Sequence, residues 1–291
     1  MNSKNILFYL AKKAAKLLVL LVTVCLVTFY LLEISPIDPV TAYVGTDSNV
    51  GQEQRELIAE EWGLNRPPVE RLVSWMSSAI QGDWGTSTIY RRPVIEVIGE
   101  KFLASIGLMG IAWGLSGITG FLLGILAGVH KDRFLDKGIR GFCHVLMSTP
   151  SFWLGMLVLM VFSYWLGWFP VGLSVPMGVI ASEVTLGDKL LRLVLPSITL
   201  AVAGIASICM HTRSKTIEVL QEDYVLFAKA RGESKREIMF RHLLRNISLP
   251  AITLQFLSFG ELFGGAVFVE QVFSYPGLGH TAVLAGLRGD A

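Results

Sequence analysis

Few residues in this sequence have the types and spacing that covalent chemistry requires. The phosphate-cradling pattern Gly-x-x-x-x-Gly-Lys-Ser/Thr is missing, and no Gly-Lys dipeptide occurs anywhere. Neither His-Glu-x-x-His nor Gly-x-Ser-x-Gly is found, so zinc-protease and serine-hydrolase readings lack their signatures. The five histidines (His130, His144, His211, His242 and His280) are scattered, and those near the ends of apolar runs read as interfacial structural residues. Cys25, Cys143 and Cys209 lie in or beside apolar runs without metal-ligand spacing, and read as small buried hydrophobes. One carboxylate stands apart. Glu261, within Gly260-Glu-Leu-Phe-Gly-Gly265, is the one ionisable group in the body of an apolar run. At membrane depth an acid is costly, so it faces a cavity or a polar partner. Two readings stay open: it lines a translocation path that favours a cation, or it caps an interhelical hydrogen-bond network. Gly264 and Gly265 allow close backbone approach and suit either.

The elements that must position such residues are apolar spans. Of 291 residues 52% are hydrophobic and 16% charged, with a mean hydropathy of +0.55; a soluble domain carries roughly 25% charged residues. The deficit is concentrated. A crossing needs about 20 mostly apolar residues, which places five spans at 10–32, 102–129, 145–169, 193–211 and 247–269. The first lacks a small-residue cleavage site and continues into Glu33-Ile34-Ser35-Pro36, so it reads as an uncleaved span. Lys4, Lys12, Lys13 and Lys16 stand before its uncharged stretch Leu17–Leu32 with no acid, whereas residues 33–100 carry eleven acids against five basic residues. The loops 130–140 and 212–246 are basic again. Lys and Arg stay on the cytoplasmic side, so the N-terminus is expected inside, 33–101 outside, and both basic loops inside.

The expected fold class is all-α, a polytopic transmembrane helical bundle forming one membrane domain over 1–291. Residues 33–101 form an external helical segment with helices at Glu53–Trp62 and Pro68–Ile80, a turn at Gly82–Gly85, and Pro93–Lys101 along the membrane surface. Glycines 107, 110, 114, 117, 120, 124 and 128 recur at three- and four-residue steps in the second span. They serve tight helix packing or a hinge.

The loop 212–246 is the informative one. Glu218–Arg231 is free of Gly and Pro, and Gly232 follows it as a C′ glycine would. Ser234 and Glu237 then form a capping box that starts a second helix through Leu244, with Pro250 setting the next boundary. Tyr224, Val225, Leu226 and Phe227 cannot all face one small core. They make a partner surface, or else the helix lies on the membrane.

The segment resembles the ATPase-docking loop of ABC-importer permeases of type I, in the dipeptide/oligopeptide/nickel branch. Glu222, Asp223, Tyr224, Ala228, Ala230 and Gly232 match E-D-Y-x-x-x-A-x-A-x-G; Arg241, His242, Leu244, Arg245, Asn246, Leu249 and Pro250 match the continuation. Ser35–Pro39 (with Ile37 in place of glycine), Trp62–Pro67, Gly82–Gly85, Pro150–Leu154 and Phe273–Gly279 resemble further branch motifs in order. The resemblance implies a permease in the plasma (inner) membrane, paired with a second permease, two cytoplasmic ATPases and an external solute-binding protein, in contact with lipid and not with nucleic acid. It implies that ATP and Mg are bound by the ATPases, that this chain is no enzyme and holds no cofactor, and that Glu222, Asp223, Tyr224, Phe227, Ala228, Ala230 and Gly232 carry coupling. Nickel, metal chelates or di/oligopeptides are the implied cargo, and the Gly-Glu-Leu-x-Gly-Gly stretch leans towards nickel. Family members continue past the Arg-Asp near residue 290 into a sixth span, so five spans here are expected to lack that last one. The alternative is an ion-gradient-driven secondary transporter, which predicts intramembrane charge pairs and broken helices.

Overall fold

The computed structural model of the chain describes residues 3–36, 38–44, 51–171 and 185–290; Ile37 of the Ser35–Pro39 motif lies outside them. No strand forms among the described residues, and Thr86 and Pro93 make only an isolated bridge. The chain divides into two compact units, residues 1–99 with 282–291 and residues 100–281.

In the first unit α1 (Ser3–Glu33) carries the first apolar run on one helix whose side chains are mostly exposed. An apolar helix not buried in its own protein must be covered by lipid or by another chain. Asp38 starts α2 (Pro39–Val44) by accepting the backbone N–H groups of Val40 and Thr41, both at 3.1 Å. Next come α3 (Gln52–Glu61) and α4 (Pro68–Ile80), each within a residue of its expected bounds. Arg71 ties α4 to Glu33 at the end of α1 and lies 5.9 Å over the Phe29 ring. Asp290 accepts the Ser87 hydroxyl at 2.5 Å and the Thr88 N–H at 2.7 Å.

The second unit is organised on two long helices. In α5 (Val94–Val129) and α8 (Leu186–Gln221) there are 36 residues apiece, or about 54 Å at 1.5 Å per residue, against a hydrocarbon core of about 30 Å. Residues 94–101 are therefore the first turns of the same helix that carries the second span. Pro93 stands just before the helix, where a missing N–H does no harm. A capping box between Thr185 and Asp188 opens α8.

The third span is not one straight helix over 145–169. Helices α6 (Phe134–Ser148) and α7 (Ser151–Leu159, continued by a π turn Met160–Trp165) meet at 106°. Pro150 disfavours the helical region for the residue before it, and Thr149 is accordingly extended at φ −100°, ψ 123°. The fifth span is bent too. The helix that leads into it starts at α10 (Lys235–Glu237), passes through a π turn (Ile238–Leu243) into α11 (Leu244–Leu257), and bends by 47° at Ser258 into α12 (Phe259–Val272). Pro250 lies inside α11 and sets no boundary, as membrane helices tolerate when neighbours satisfy the freed groups. With each bent pair taken as one span the crossings number five. The last helix is α13 (Leu278–Arg288).

The glycine stripe of α5 divides in two. A Cβ at Gly120, Gly124 or Gly128 would stand 2.9 Å from the Ile205 carbonyl oxygen, 2.6 Å from Thr212 Cβ or 2.5 Å from Thr216 Cβ, so these glycines let α5 and α8 touch backbone to backbone. Gly107, Gly110 and Gly114 face nothing within 4 Å. Tight packing is the answer for the half of the stripe that meets α8. Leu108, Met109 and Ala112 of α5 build the main core with Leu195, Leu200 and Ala201 of α8 and Leu262, Ala266 and Val269 of α12.

Candidate functional site

The 212–246 segment differs from the plain helix–turn–helix expected. The fourth span does not stop near residue 211 but runs on helically to Gln221. It breaks at Glu222, whose ψ of 145° is extended, and α9 (Asp223–Ala230) starts there, so the single helix expected over 218–231 is two. The reason is burial. Turning α9 back puts Val225, fully buried, against Val219, Ile238, Leu243 and Ile247. Burying a valine is worth about 1.5–3 kcal/mol, against about 1 kcal/mol net for a hydrogen bond given up, and Val225 and Leu226 re-bond to the Glu222 carbonyl at 3.0 and 3.1 Å.

The end of α9 is as the sequence indicates. Gly232 has φ +83° and donates its N–H to Lys229 O at 3.0 Å, while Glu233 donates to Ala228 O at 3.1 Å, the two bonds of a Schellman cap. The capping box is also formed: Ser234 N–H donates to Glu237 Oε2 at 2.8 Å, and Glu237 N–H to Ser234 Oγ at 3.3 Å. The Ser234 bonds hold the Glu237 carboxyl below its ordinary range. Together these caps fix a rigid corner between α9 and α10.

That corner presents most of the residues expected for coupling. Glu222, Asp223, Tyr224, Phe227, Ala230 and Gly232 are exposed. Ala228 is buried, on the same face as Val225 three residues earlier. Of the four bulky apolar residues, Val225 turns inward and Tyr224, Leu226 and Phe227 stay 42%, 50% and 64% exposed. Arg231 lies 5.9 Å over the Phe227 ring. Tyr224 stands 6.0 Å from the His242 ring, and His242 Nε2 is 2.9 Å from Glu233 Oε2. Partial burial raises the Tyr224 hydroxyl above its ordinary range.

Glu261 sits in the first turn of α12, just past the bend at Ser258. It is exposed, and its side chain has no hydrogen bond or ion pair among the described residues. Gly264, one turn on, also faces open space, whereas a Cβ at Gly265 would touch Leu200 at 3.4 Å. So Glu261 and Gly264 share an open face and Gly265 belongs to the contact with α8. A different acid caps a network. Glu270, 1% exposed, accepts the Ser105 hydroxyl at 2.5 Å and the His280 N–H at 2.9 Å, while Ser105 Oγ accepts the Leu278 N–H at 2.8 Å. This holds the Phe273–Gly279 turn.

Two polar pairs escaped the reading of the sequence. Asp136 and Arg213 form a buried ion pair between α6 and α8; the only signal was an acid within a basic loop. Trp113 and Gln255 exchange bonds between α5 and α11, Trp113 Nε1–H to Gln255 O at 2.7 Å and Gln255 Nε2–H to Trp113 O at 2.5 Å. Neither residue carries a charge to mark it.

Apolar helices sufficient for up to five crossings among the described residues, with a capped corner between the fourth and fifth, define a multi-pass membrane protein. Residues 120–291 match the family described as binding-protein-dependent transport system inner membrane component. The chain is 32% identical over 283 residues to the oligopeptide transport system permease protein AppB of Bacillus subtilis (strain 168), covering 97% of this chain and 88% of that protein. It is 34% identical over 276 residues to the glutathione transport system permease protein GsiC of Escherichia coli (strain K12), covering 94% and 85%. The chain belongs to this family. It is a multi-pass inner-membrane permease of an ABC importer, a system that includes ATPase and binding-protein components, with ATP hydrolysis in a separate subunit. Membership decides against the ion-gradient alternative, although the two bent spans are a feature which that alternative predicted.

Proposed function

We propose that this chain forms half of the translocation pathway of an importer for short peptides or peptide-like molecules such as glutathione. The relatives named for oligopeptide and glutathione transport support that class of cargo. The lean to nickel rests on Glu261 and the Gly260–Gly265 stretch around it. Its open, unpartnered position keeps a cationic cargo as the second reading, with Glu261 and Gly264 on the path and Gly265 supporting them from the α8 contact.

In this reading the N-terminus and the 130–140 and 212–246 loops are cytoplasmic, residues 33–101 are external, and the chain is one permease domain. It pairs with a second permease as a heterodimer, above two ATPases and below the binding protein. ATP and Mg belong to the ATPases, and this chain needs no cofactor. The observation that carries the docking role is the doubly capped corner at Ala230–Glu237, which holds Tyr224, Leu226 and Phe227 out of the core. A rigid, exposed apolar turn is what a partner surface requires. Glu222, Asp223 and Ala230 border it, Gly232 makes the turn, and Ala228 seats the helix from behind.

Gly232→Pro is the test. Proline cannot take φ +83° and has no N–H for Lys229 O. The variant should insert normally, fail to retain the ATPases on purification, and lose uptake; retained ATPases with normal uptake would sink the docking role. Cargo is decided by competition, with labelled tripeptide, glutathione and nickel offered to the reconstituted importer, alongside Glu261→Gln. Uptake of nickel alone, slowed by Glu261→Gln, would replace the peptide reading.

A further inference from the structure

The charged residues at the head of α6 form a built joint. Asp136 is fully buried and accepts a fork of two bonds from Arg213, Nε–H to Oδ1 at 2.5 Å and Nη2–H to Oδ2 at 2.7 Å. Its Oδ2 also accepts the Asp132 backbone N–H at 2.8 Å, and Arg140 Nε lies 3.6 Å from Oδ1. The Arg213 bonds hold the Asp136 carboxyl down at about 2. The pair is therefore charged at any working pH.

A buried ion pair is a weak source of stability, because desolvation offsets much of its attraction. What a two-pronged fork does well is fix both distance and angle. Here it fixes α6 against the stretch of α8 that continues past residue 211. Helix α5 needs no such device, since Gly124 and Gly128 already press its backbone onto α8. Elsewhere α6 meets α8 through Cys143, Ala206 and Cys209, with Ile139, Leu146 and Met210 around them. The two cysteines and Met210 in that contact are soft and adaptable. Arg213 lies about 12 Å along the helix from Gln221, where α9 and the docking corner begin.

We propose that the Asp136–Arg213 pair is the strut that makes the head of α6 move with α8 when the docking corner is displaced. Asp136 and Arg213 are thus positioning residues for transport. The inference rests on the docking reading above and adds the route by which motion leaves the corner. Without the strut, displacement of α8 is absorbed by slippage at the Cys143–Cys209 contact.

The test uses the assembled importer in proteoliposomes, with ATP hydrolysis and uptake measured side by side, the cargo being whichever of tripeptide and glutathione the wild type takes up. Arg213→Lys keeps the charge and loses the fork; Asp136→Glu keeps the charge and displaces it. Both variants should retain the ATPases. Cargo moved per ATP hydrolysed should fall about tenfold in Arg213→Lys, the factor for one lost charge-assisted bond. Lys215→Gln, which breaks only an exposed pair with Glu218, should leave the ratio as it was. An unchanged ratio in both strut variants, or equal loss of hydrolysis and uptake, overturns the strut. Failure of the wild type to retain ATPases, or their retention by Gly232→Pro, overturns the docking reading instead.

Discussion

Gly124→Ala probes the contact that makes α5 and α8 one body. A Cβ at this position would stand 2.6 Å from Thr212 Cβ and 2.7 Å from the Cys209 carbonyl oxygen. Carbon atoms settle at about 3.5–4.0 Å, so the helices must part locally by about 1 Å. Neither neighbour can step aside, one being backbone and the other a β-branched side chain with a stiff χ1. Overpacking of this kind costs about 1–3 kcal/mol, and alanine recovers about 1 kcal/mol of helix propensity over glycine. The net expectation is a loss of up to about 2 kcal/mol. At about 2–4 °C per kcal/mol for a protein of this size, the thermal midpoint should drop by at most about 8 °C. The assay is tryptophan fluorescence of the detergent-purified permease at one fixed scan rate, since such midpoints depend on it. Gly114→Ala is the control from the same stripe: its Cβ meets nothing within 4 Å, and its midpoint should hold or rise. Equal midpoints for the two variants would refute the backbone contact.

Three further outcomes follow from the same geometry. Gly277→Ala drives a methyl into the Glu270 carboxyl and displaces it from Ser105 and the His280 N–H; bonds to a charged group are worth about 1.5–3 kcal/mol, a drop the melting assay should register while Gly286→Ala, with open space around it, shows none. Trp113→Phe keeps the edge contact with Phe256 at 5.1 Å but removes the N–H given to Gln255 O, and should cost about 0.5–1.5 kcal/mol; no change would remove that bond from the account. Asp136 has its carboxyl depressed from 3.8 to about 2 by the Arg213 bonds, so the folded state binds this proton less readily than the unfolded one. Its contribution of about 2 kcal/mol is complete above about pH 4 and is lost as pH falls towards 2. Melting profiles of wild type and Asp136→Asn that fall in parallel over that window would contradict the assignment.

The sequence reveals what periodicity and local chemistry decide. Apolar runs located the crossings, Pro67-Pro68 marked the start of α4, and Gly232 with Ser234–Glu237 marked the corner after α9, because each is a local preference strong enough to survive folding. Breaks set by tertiary burial stayed hidden. Glu222 is an ordinary helix residue, and only the cavity waiting for Val225 turns the chain there. The bend at Thr149 was written in Pro150 but overruled by the unbroken hydropathy of 145–169. Ser258 carries no helix-breaking signature at all. Buried pairs were hidden for a related reason: Asp136 and Arg213 are 77 positions apart, and nothing in either segment alone names its partner.

The bend in the fifth span shows why the hidden pairs matter together. The Gln255 carbonyl, just before the Ser258 break, accepts the Trp113 indole N–H at 2.7 Å and the Ser258 hydroxyl at 2.9 Å. In hydrocarbon an unsatisfied carbonyl costs several kcal/mol, so the indole from α5 and the local Ser258 hydroxyl together support the bend. Helix α5 is in turn seated on α8 through Gly120, Gly124 and Gly128, and α8 is forked to α6 by Arg213. The geometry of the bend is thereby tied to the body whose far end carries α9. Glu261 stands one turn past Ser258, so a change in the bend re-aims that carboxylate. Helix α6 and the Glu261 turn are thus both tied to α8, the first through a salt bridge and the second by way of α5 and an indole.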